Sequence, residues 1–288
     1  AEMVLIPAGE FWMGNTPEGL EPFRDFCKRI PMSALCTDGR YERDELPRRR
    51  VTLDAFYLDR FEVTNALFEK FVKATGHRTL AELRREGAVW QQSAKVSAPR
   101  REGGVWRWDD ENWQSVKVPN AYWRSPNGGD SLAEPTHPVV QVSWDNAAAY
   151  CAWAGKRLPT EAEWEKAARG PDGRLYPWGD AWEVTKANAY QRPVKRTTPV
   201  GSYPQGASPY GVQDMAGNVW EWIADWYDAD YYKTGPARNP PGPATGKVRV
   251  ARGGSWLDQP AALATTHRNP ISPSYSANLI GFRCARAP

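Results

Sequence analysis

The sequence predicts a loop-rich α+β fold in which short strands and a few helices are pinned by tryptophan. Three observations carry this. Fifteen Trp, 25 Pro and 24 Gly stand among 288 residues, a composition that favours irregular backbone anchored by large rings. The apolar runs are short, and none approaches the ~18 residues of a membrane span. The helical patterns are brief and carry their own start and stop signals.

The elements follow in order. MVLIPAGEFWM at residues 3–13 reads as two short strands about a Pro-Ala-Gly turn. Residues 14–50 are polar, Pro-bearing and irregular. A loop of that length has a job or a staple, and Cys27 and Cys36 offer one, as a local disulfide or as a thiol pair in a reducing compartment. VTLDAFYLDRFEV at 51–63 reads as strand. Thr64 then caps a helix with Leu67, Phe68, Phe71 and Val72 at helical spacing, closed by Gly76. Residues 79–135 form a long excursion with short strands such as GGVWRWDD. Trp90, Trp106, Trp108, Trp113 and Trp123 recur there without helical period. They could line a groove, but anchoring loops is the commoner role of such rings.

PVVQV at 138–142 reads as a strand, and Ser143 caps a helix that ends at Gly155. Thr160 and Glu163 form a capping box. The helix they open ends at Gly170, with acids early and Lys166 and Arg169 late, as the helix dipole favours. Residues 171–209 are loops, and a Pro/Gly-rich loop spans 235–246. KVRVARGGSW at 247–256 is a strand entering a Gly-Gly turn, and 280–286 is a closing strand.

Between these lies the stretch that organises the chain, Gly211–Trp226. It resembles neither an amphipathic helix nor an alternating strand. Gly217 and Asn218 suit a tight turn. Trp220 and Trp222 flank Glu221, whose carboxylate is costly there unless paired, hydrogen-bonded or bound to a cation.

Charge and reactive side chains narrow the function. The net charge is +3 and the basic residues are interspersed with acids, so no nucleic-acid partner is expected. There are three His (His77, His137, His267) and four Cys. None of the His pairs at helical metal-ligand spacing and no C-x-x-C occurs, so no zinc site is expected. Spacing alone does not assign disulfides. The chain opens at Ala1 directly before an apolar strand, which is compatible with a cleaved precursor.

The motifs MVLIPAGEFWMG, RRVTLDAFYLDRFEVTN, FEKFVKATG, WRSPNGGDS, HPVVQVSWDNAAAYCAWAGKRLPTEAEWEKAARG, YPWGD, GNVWEW, RGGSW and GFRCA follow one another nearly end to end. In this order they resemble the formylglycine-generating enzyme, or sulfatase-modifying factor, family. The resemblance implies one domain over 1–288, related to the C-type lectin fold, with 14–50 and 79–135 as excursions. Activating members of that family use two nearby cysteines after the RGGS turn to hold copper and handle oxygen, and thiolates suit Cu(I). Here WLDQPAALATTHRNP follows Ser255 and contains no cysteine. Asp258 matches the first position, and the second falls near Leu263. Ala261, Ala262 and Ala264 stand where basic residues are expected. The resemblance thus implies a pseudoenzyme that makes no formylglycine, with no copper, zinc or iron.

Cys151 and Cys284 match a pair that is disulfide-bonded in secretory members. This implies a secreted or periplasmic location, with Cys27–Cys36 as a second bridge. It also implies structural calcium at Glu221 with the carbonyls of Ala216, Gly217 and Val219, where oxygen ligands suit a hard cation. A second calcium site would begin at Asn188 and Ala189, in a loop shortened before Thr198.

Two main functions follow. As a binding or accessory module, the scaffold would present Trp222, Trp256, Asp258, Asn269 and Tyr275 to a protein or small-molecule ligand. Its 257–279 segment occupies the interval that is variable in retroelement-diversified relatives. As an oxidase or oxygenase of different chemistry, similar to the pyoverdine-maturation oxidase, it would draw on Ser255, Asp258, His267 and Arg268. The plainer roles of these residues are a turn for Ser255 and Asp258 and fold-pinning hydrogen bonds for Arg268.

Overall fold

The Trp-rich centre is a strand. In the computed structural model, which describes residues 2–29, 41–92, 100–102, 105–107 and 113–288, Trp220–Trp226 lies inside a four-stranded sheet. It pairs antiparallel with Arg249–Arg252 and parallel with Ile280–Gly281. Asn269–Ile271 completes the edge beside Arg249–Arg252. The first four residues of the central strand are all buried, so both faces are covered. A strand covered on both faces loses the alternation that identifies a half-exposed one. The expected turn comes just before it. Gly217 and Asn218 take φ of 84° and 64°, and a Cβ at Gly217 would stand 2.2 Å from the Asn188 carbonyl oxygen. Only glycine fits that approach.

A second sheet joins the chain ends. Met3–Ile6 and Ala285–Arg286 flank Phe56–Asp59, while Gly9–Met13 pairs with Arg49–Leu53. The expected 51–63 strand is therefore two strands with a break after Leu53. Residues 138–142, expected as a strand, form none. Gln141 takes φ of 60°, and its side chain donates to the carbonyls of Ala88 and Pro126.

The capped helices stand where their signals place them. Asn65–Thr75 opens on Thr64 and closes on left-handed Gly76. Trp144–Trp153 opens on Ser143, with Asn146 completing a capping box, and ends one residue before the expected Gly155, at Ala154. Glu161–Arg169 carries the Thr160–Glu163 capping box and is buried along its whole length. The 14–50 tract, read as irregular, holds more structure than expected, while the 79–135 excursion carries short strands as expected. Glu21–Arg29 and Tyr41–Asp44 are helical. Glu86–Gln92 pairs with Trp113–Pro119, and Arg100–Glu102 with Val105–Arg107. Of the indoles there, Trp123 is buried against Phe68, and Trp108 lies outside the described residues.

Two large apolar clusters fill the interior, and among the described residues a small third joins Leu20, Phe23 and Ala261. One gathers Phe68, Tyr150, Trp222 and Phe282, the other Phe11, Trp164, Ile223 and Tyr232. Cys151 and Cys284 form a disulfide within the first, their Cα atoms 5.7 Å apart across 133 residues of chain. Cys27 is also disulfide-bonded, while its expected partner Cys36 lies outside the described residues. Among the described residues no helix is long and apolar enough to cross a membrane.

Candidate functional site

The carboxylate of Glu221 is met by a guanidinium. Arg283 donates from Nε to Oε2 and from Nη2 to Oε1, both at 2.6 Å, and Trp164 Nε1 donates to Oε2 at 3.0 Å. The remaining Arg283 contacts go to the carbonyls of Asp59, Arg60 and Gln213. Two further arginines serve the buried Glu161 helix. Arg268 grips Glu161 through Nε at 2.8 Å and Nη2 at 3.0 Å, and also donates to the Asp44 and Asp228 carbonyls. Arg252 meets Glu165 Oε2 at 2.6 Å and the carbonyls of Thr265, Thr266 and His267. Planar guanidinium forks suit such paired acceptors.

These bonds settle the chemistry of the segment after the RGGS turn. Asp258 Oδ2 accepts from Ser255 N at 2.9 Å and from Ser255 Oγ at 2.5 Å. Burial pushes the Asp258 carboxyl above its ordinary value, against those two bonds. A single helical turn follows at Pro260–Leu263, with Ala261, Ala262, Leu263 and Ala264 buried. The two positions matched to thiols are thus a turn-locking carboxyl and a core aliphatic. Of the four residues considered for catalysis, Ser255 and Asp258 hold each other and Arg268 pins the fold. His267 stands apart, its Nδ1 3.4 Å from Glu45 Oε1 and its ring stacked on Phe23.

The expected ligand-facing set is corrected as well. Trp222 is fully buried and donates to the Val142 carbonyl, and Trp256 is buried and donates to that of Asn278. Both indoles serve the core. Asn269 and Tyr275 are half-buried, with Asn269 in the edge strand paired to Ala251.

A cavity of about 440 Å³ opens beside the Pro260–Leu263 turn. Asn15, Leu20, Phe23, Glu45 and Ala261 form its buried floor, and Asp180 and Gln191 stand exposed at its rim. Tyr176 and Trp182 line a wall, edge to face at 5.3 Å. Burial opposes ionisation of Glu45, but His267 and the Thr266 and Asn15 donors outweigh it and hold the carboxyl below its ordinary value. Sequence reasoning missed Asn15 and Glu45. They lie in a tract without periodicity, and only the packing of the Glu21–Arg29 helix on the Pro260–Leu263 turn brings them to Ala261.

The residues expected to hold two calcium ions lie together. Asn188 Nδ2 donates to Asn218 Oδ1, and Asn218 Nδ2 to Glu62 Oε1. Two buried acceptors of these residues have no hydrogen-bond partner: Glu62 Oε2 and Asn188 Oδ1. Burial, then the charge of Asp214, raises Glu62 well above its ordinary value, and burial raises Asp214 too. Glu221 fits a calcium ligand poorly, since Arg283 occupies both its oxygens. The orphaned oxygens around Asn218 fit a hard cation better. Among the described residues no three His, Cys, Asp or Glu converge at metal-binding distance, so amide and carbonyl oxygens would supply most of such a shell.

Fold and site together define a single-domain α+β protein with an arginine–carboxylate core and an acidic cavity at one end of its RGGS turn. The whole chain, residues 1–288, matches the model of the sulfatase-modifying factor enzyme 1-like domain. It belongs to that family, whose named members include formylglycine-generating enzymes. It is 42% identical over 311 residues to the formylglycine-generating enzyme of Thermomonospora curvata, covering 99% of this chain and 93% of that one. It is 36% identical over 302 residues to the inactive C-alpha-formylglycine-generating enzyme 2 of Bos taurus, covering 98% and 87%. Among solved structures it is similar to PvdO from Pseudomonas aeruginosa, with a TM-score of 0.69, 26% identity and coverage of 99% and 94%.

Two predictions follow from the buried charges. Arg283→Met leaves Glu221 unpaired and is expected to cost about 3–5 kcal/mol in guanidinium unfolding, with Glu221→Gln added to it restoring part of the loss. A single-variant loss below about 1 kcal/mol would contradict the ion pair as an anchor. Asp225 is buried and accepts from Glu161 N at 2.9 Å. Burial, then the charge of Glu161, pushes its pKa up to about 8. A folded value above the unfolded ~3.9 means the folded state holds the extra proton. The stability from this group is therefore complete below the unfolded value and lost as pH rises through about 8. Asp225→Asn should flatten the decline of Tm between the unfolded value of ~3.9 and the folded value of about 8, and an unchanged pH profile would refute the assignment.

Proposed function

We propose that this chain is a family member that makes no formylglycine and works as a ligand-binding or accessory protein on a lectin-like scaffold. The observation that carries the reading is the filling of both thiol-matched positions, with Asp258 bonded to Ser255 and Leu263 buried in the core. Soft thiolates are what Cu(I) requires, and an aliphatic side chain and a turn-bound carboxyl do not substitute for them. Cys151 and Cys284 are bonded to each other and Cys27 is also in a disulfide. Likeness to a relative named inactive supports the reading. Likeness to active enzymes does not oppose it, because the segment from Trp256 to Pro270 contains no cysteine.

The disulfides favour an oxidising compartment, and hence a secreted or periplasmic protein. Burial of every residue from Ala261 to Arg268 favours a fixed 257–279 segment over a diversified one. An oxidase of different chemistry ranks second, because Ser255, Asp258 and Arg268 are each occupied by structural bonds.

Calcium belongs to this reading as a structural ion. We place it at the oxygens of Glu62 and Asn188 with the nearby carbonyls, where it would neutralise the Glu62–Asp214 pair.

Two tests apply. With a cysteine-bearing sulfatase-type peptide and Cu(I), oxygen consumption should equal that of a protein-free control, and an aldehyde product would overturn the reading. Calcium at about 100 times its Kd should add about 2.7 kcal/mol of stability, and Glu62→Gln should remove the gain. An identical Tm in calcium and in chelator would contradict the ion site.

A further inference from the structure

We propose that the cavity between the Glu21–Arg29 helix, the Tyr176–Trp182 loop and the Pro260–Leu263 turn binds a small organic cation, its ammonium or guanidinium seated on Glu45. The inference rests on the binding reading above and names the ligand class for it.

The floor of the cavity carries a buried carboxylate faced by one histidine. Glu45 is 2% exposed. Its Oε2 accepts from Thr266 Oγ1 at 2.6 Å and from Asn15 Nδ2 at 3.2 Å, while Oε1 has no hydrogen-bond partner. An ionised oxygen left this way in a buried place is costly unless a donor arrives. His267 Nδ1 stands 3.4 Å from Oε1, an ion-pair contact when the imidazole is protonated, but neither atom makes a hydrogen bond and the ring is stacked on Phe23. The neighbouring guanidinium groups of Arg252 and Arg268 are spent on Glu165 and Glu161.

The walls agree with the floor. The described lining residues include two carboxylates, Glu45 and Asp180, and no Lys or Arg. Asp180 stands at the exposed rim, where its charge draws a cation inward. Tyr176, Trp182 and Phe23 offer ring faces and edges for the body of the ligand, and such rings also attract cations. The remaining polar lining, Asn15, Gln191 and Gln259, adds neutral hydrogen-bonding groups. A volume of about 440 Å³ is in the range of small-molecule sites.

Isothermal titration with phenethylamine, 2-phenylethanol and hydrocinnamate compares a cation, a neutral analogue and an anion of similar shape. The amine should bind at least about tenfold more tightly than either, and Glu45→Gln should weaken it by a similar factor. Asp180→Asn at the rim should cost the amine roughly threefold, as suits an exposed, salt-screened charge. Ala261→Leu should exclude all three probes by filling the floor. Unliganded Tm and circular dichroism establish that each variant is folded; should Glu45→Gln not fold, the probe series and Asp180→Asn still decide. Equal binding of amine and alcohol would overturn the cation assignment and leave the binding reading standing. No binding of the amine at ~10 mM, far above a Kd of ~1 mM, would overturn this inference. The binding reading itself falls only if the peptide and oxygen assay turns positive.

Discussion

The pairing of Arg283 with Glu221 fixes the middle of the molecule. Glu221 sits on the central strand with almost no exposure, between two indoles, where an uncompensated carboxylate would drive the strand apart. Its partner comes from the closing segment of the chain. Arg283 can reach it only when Ile280–Gly281 has paired alongside Trp220 and Glu221 and Cys284 has met Cys151. The same guanidinium ties down the carbonyls of Asp59, Arg60 and Gln213, so one ion pair holds both sheets and the loop before the central strand. Arg252 and Arg268 repeat this logic for the Glu161 helix. That helix is buried throughout although five of its nine residues are acids or bases. Breaking one such pair strands a charge, which explains why the core depends on arginine more than on long regular elements.

Much of the fold was legible because its signals are local. Thr64, Ser143 and Thr160 are side chains that accept from backbone amides one turn ahead, and such caps work the same way in any tertiary context. Gly217 was legible because its approach to Asn188 leaves no room for a Cβ. The central strand was not, since burial on both faces erases the alternation by which a strand is read. Gln141 shows the opposite failure. PVVQV has the composition of a strand, yet a left-handed residue and two side-chain bonds to distant carbonyls replace the ladder.

The site divides in the same way. The absence of cysteine from the segment after Ser255 is a statement about residue types, so the sequence carries it. The turn-forming role of Ser255 and Asp258 and the fold-pinning role of Arg268 follow from their chemistry and hold in the structure. Trp222 and Trp256 misled because large rings suggest ligand contact as readily as core, and burial decides between the two. The cavity was invisible. Its floor joins Asn15 and Glu45 to Ala261 and its wall comes from Tyr176 and Trp182, so no single segment announces it. Its position is physically coherent nonetheless. Small residues at Ala261 and Ala264 leave space at the end of the RGGS turn, and that space opens toward Glu45.

Hydrogen–deuterium exchange, followed amide by amide, tests the central claim most directly. If the Arg283–Glu221 pair is the anchor, the amides of Trp220–Trp226 exchange only through global unfolding and are among the slowest in the chain. In Arg283→Met they should join the fast-opening set while the Asn65–Thr75 helix keeps its protection longer. Fast exchange of the central strand in the unmodified protein, at a rate like that of the Glu86–Gln92 hairpin, would contradict the account.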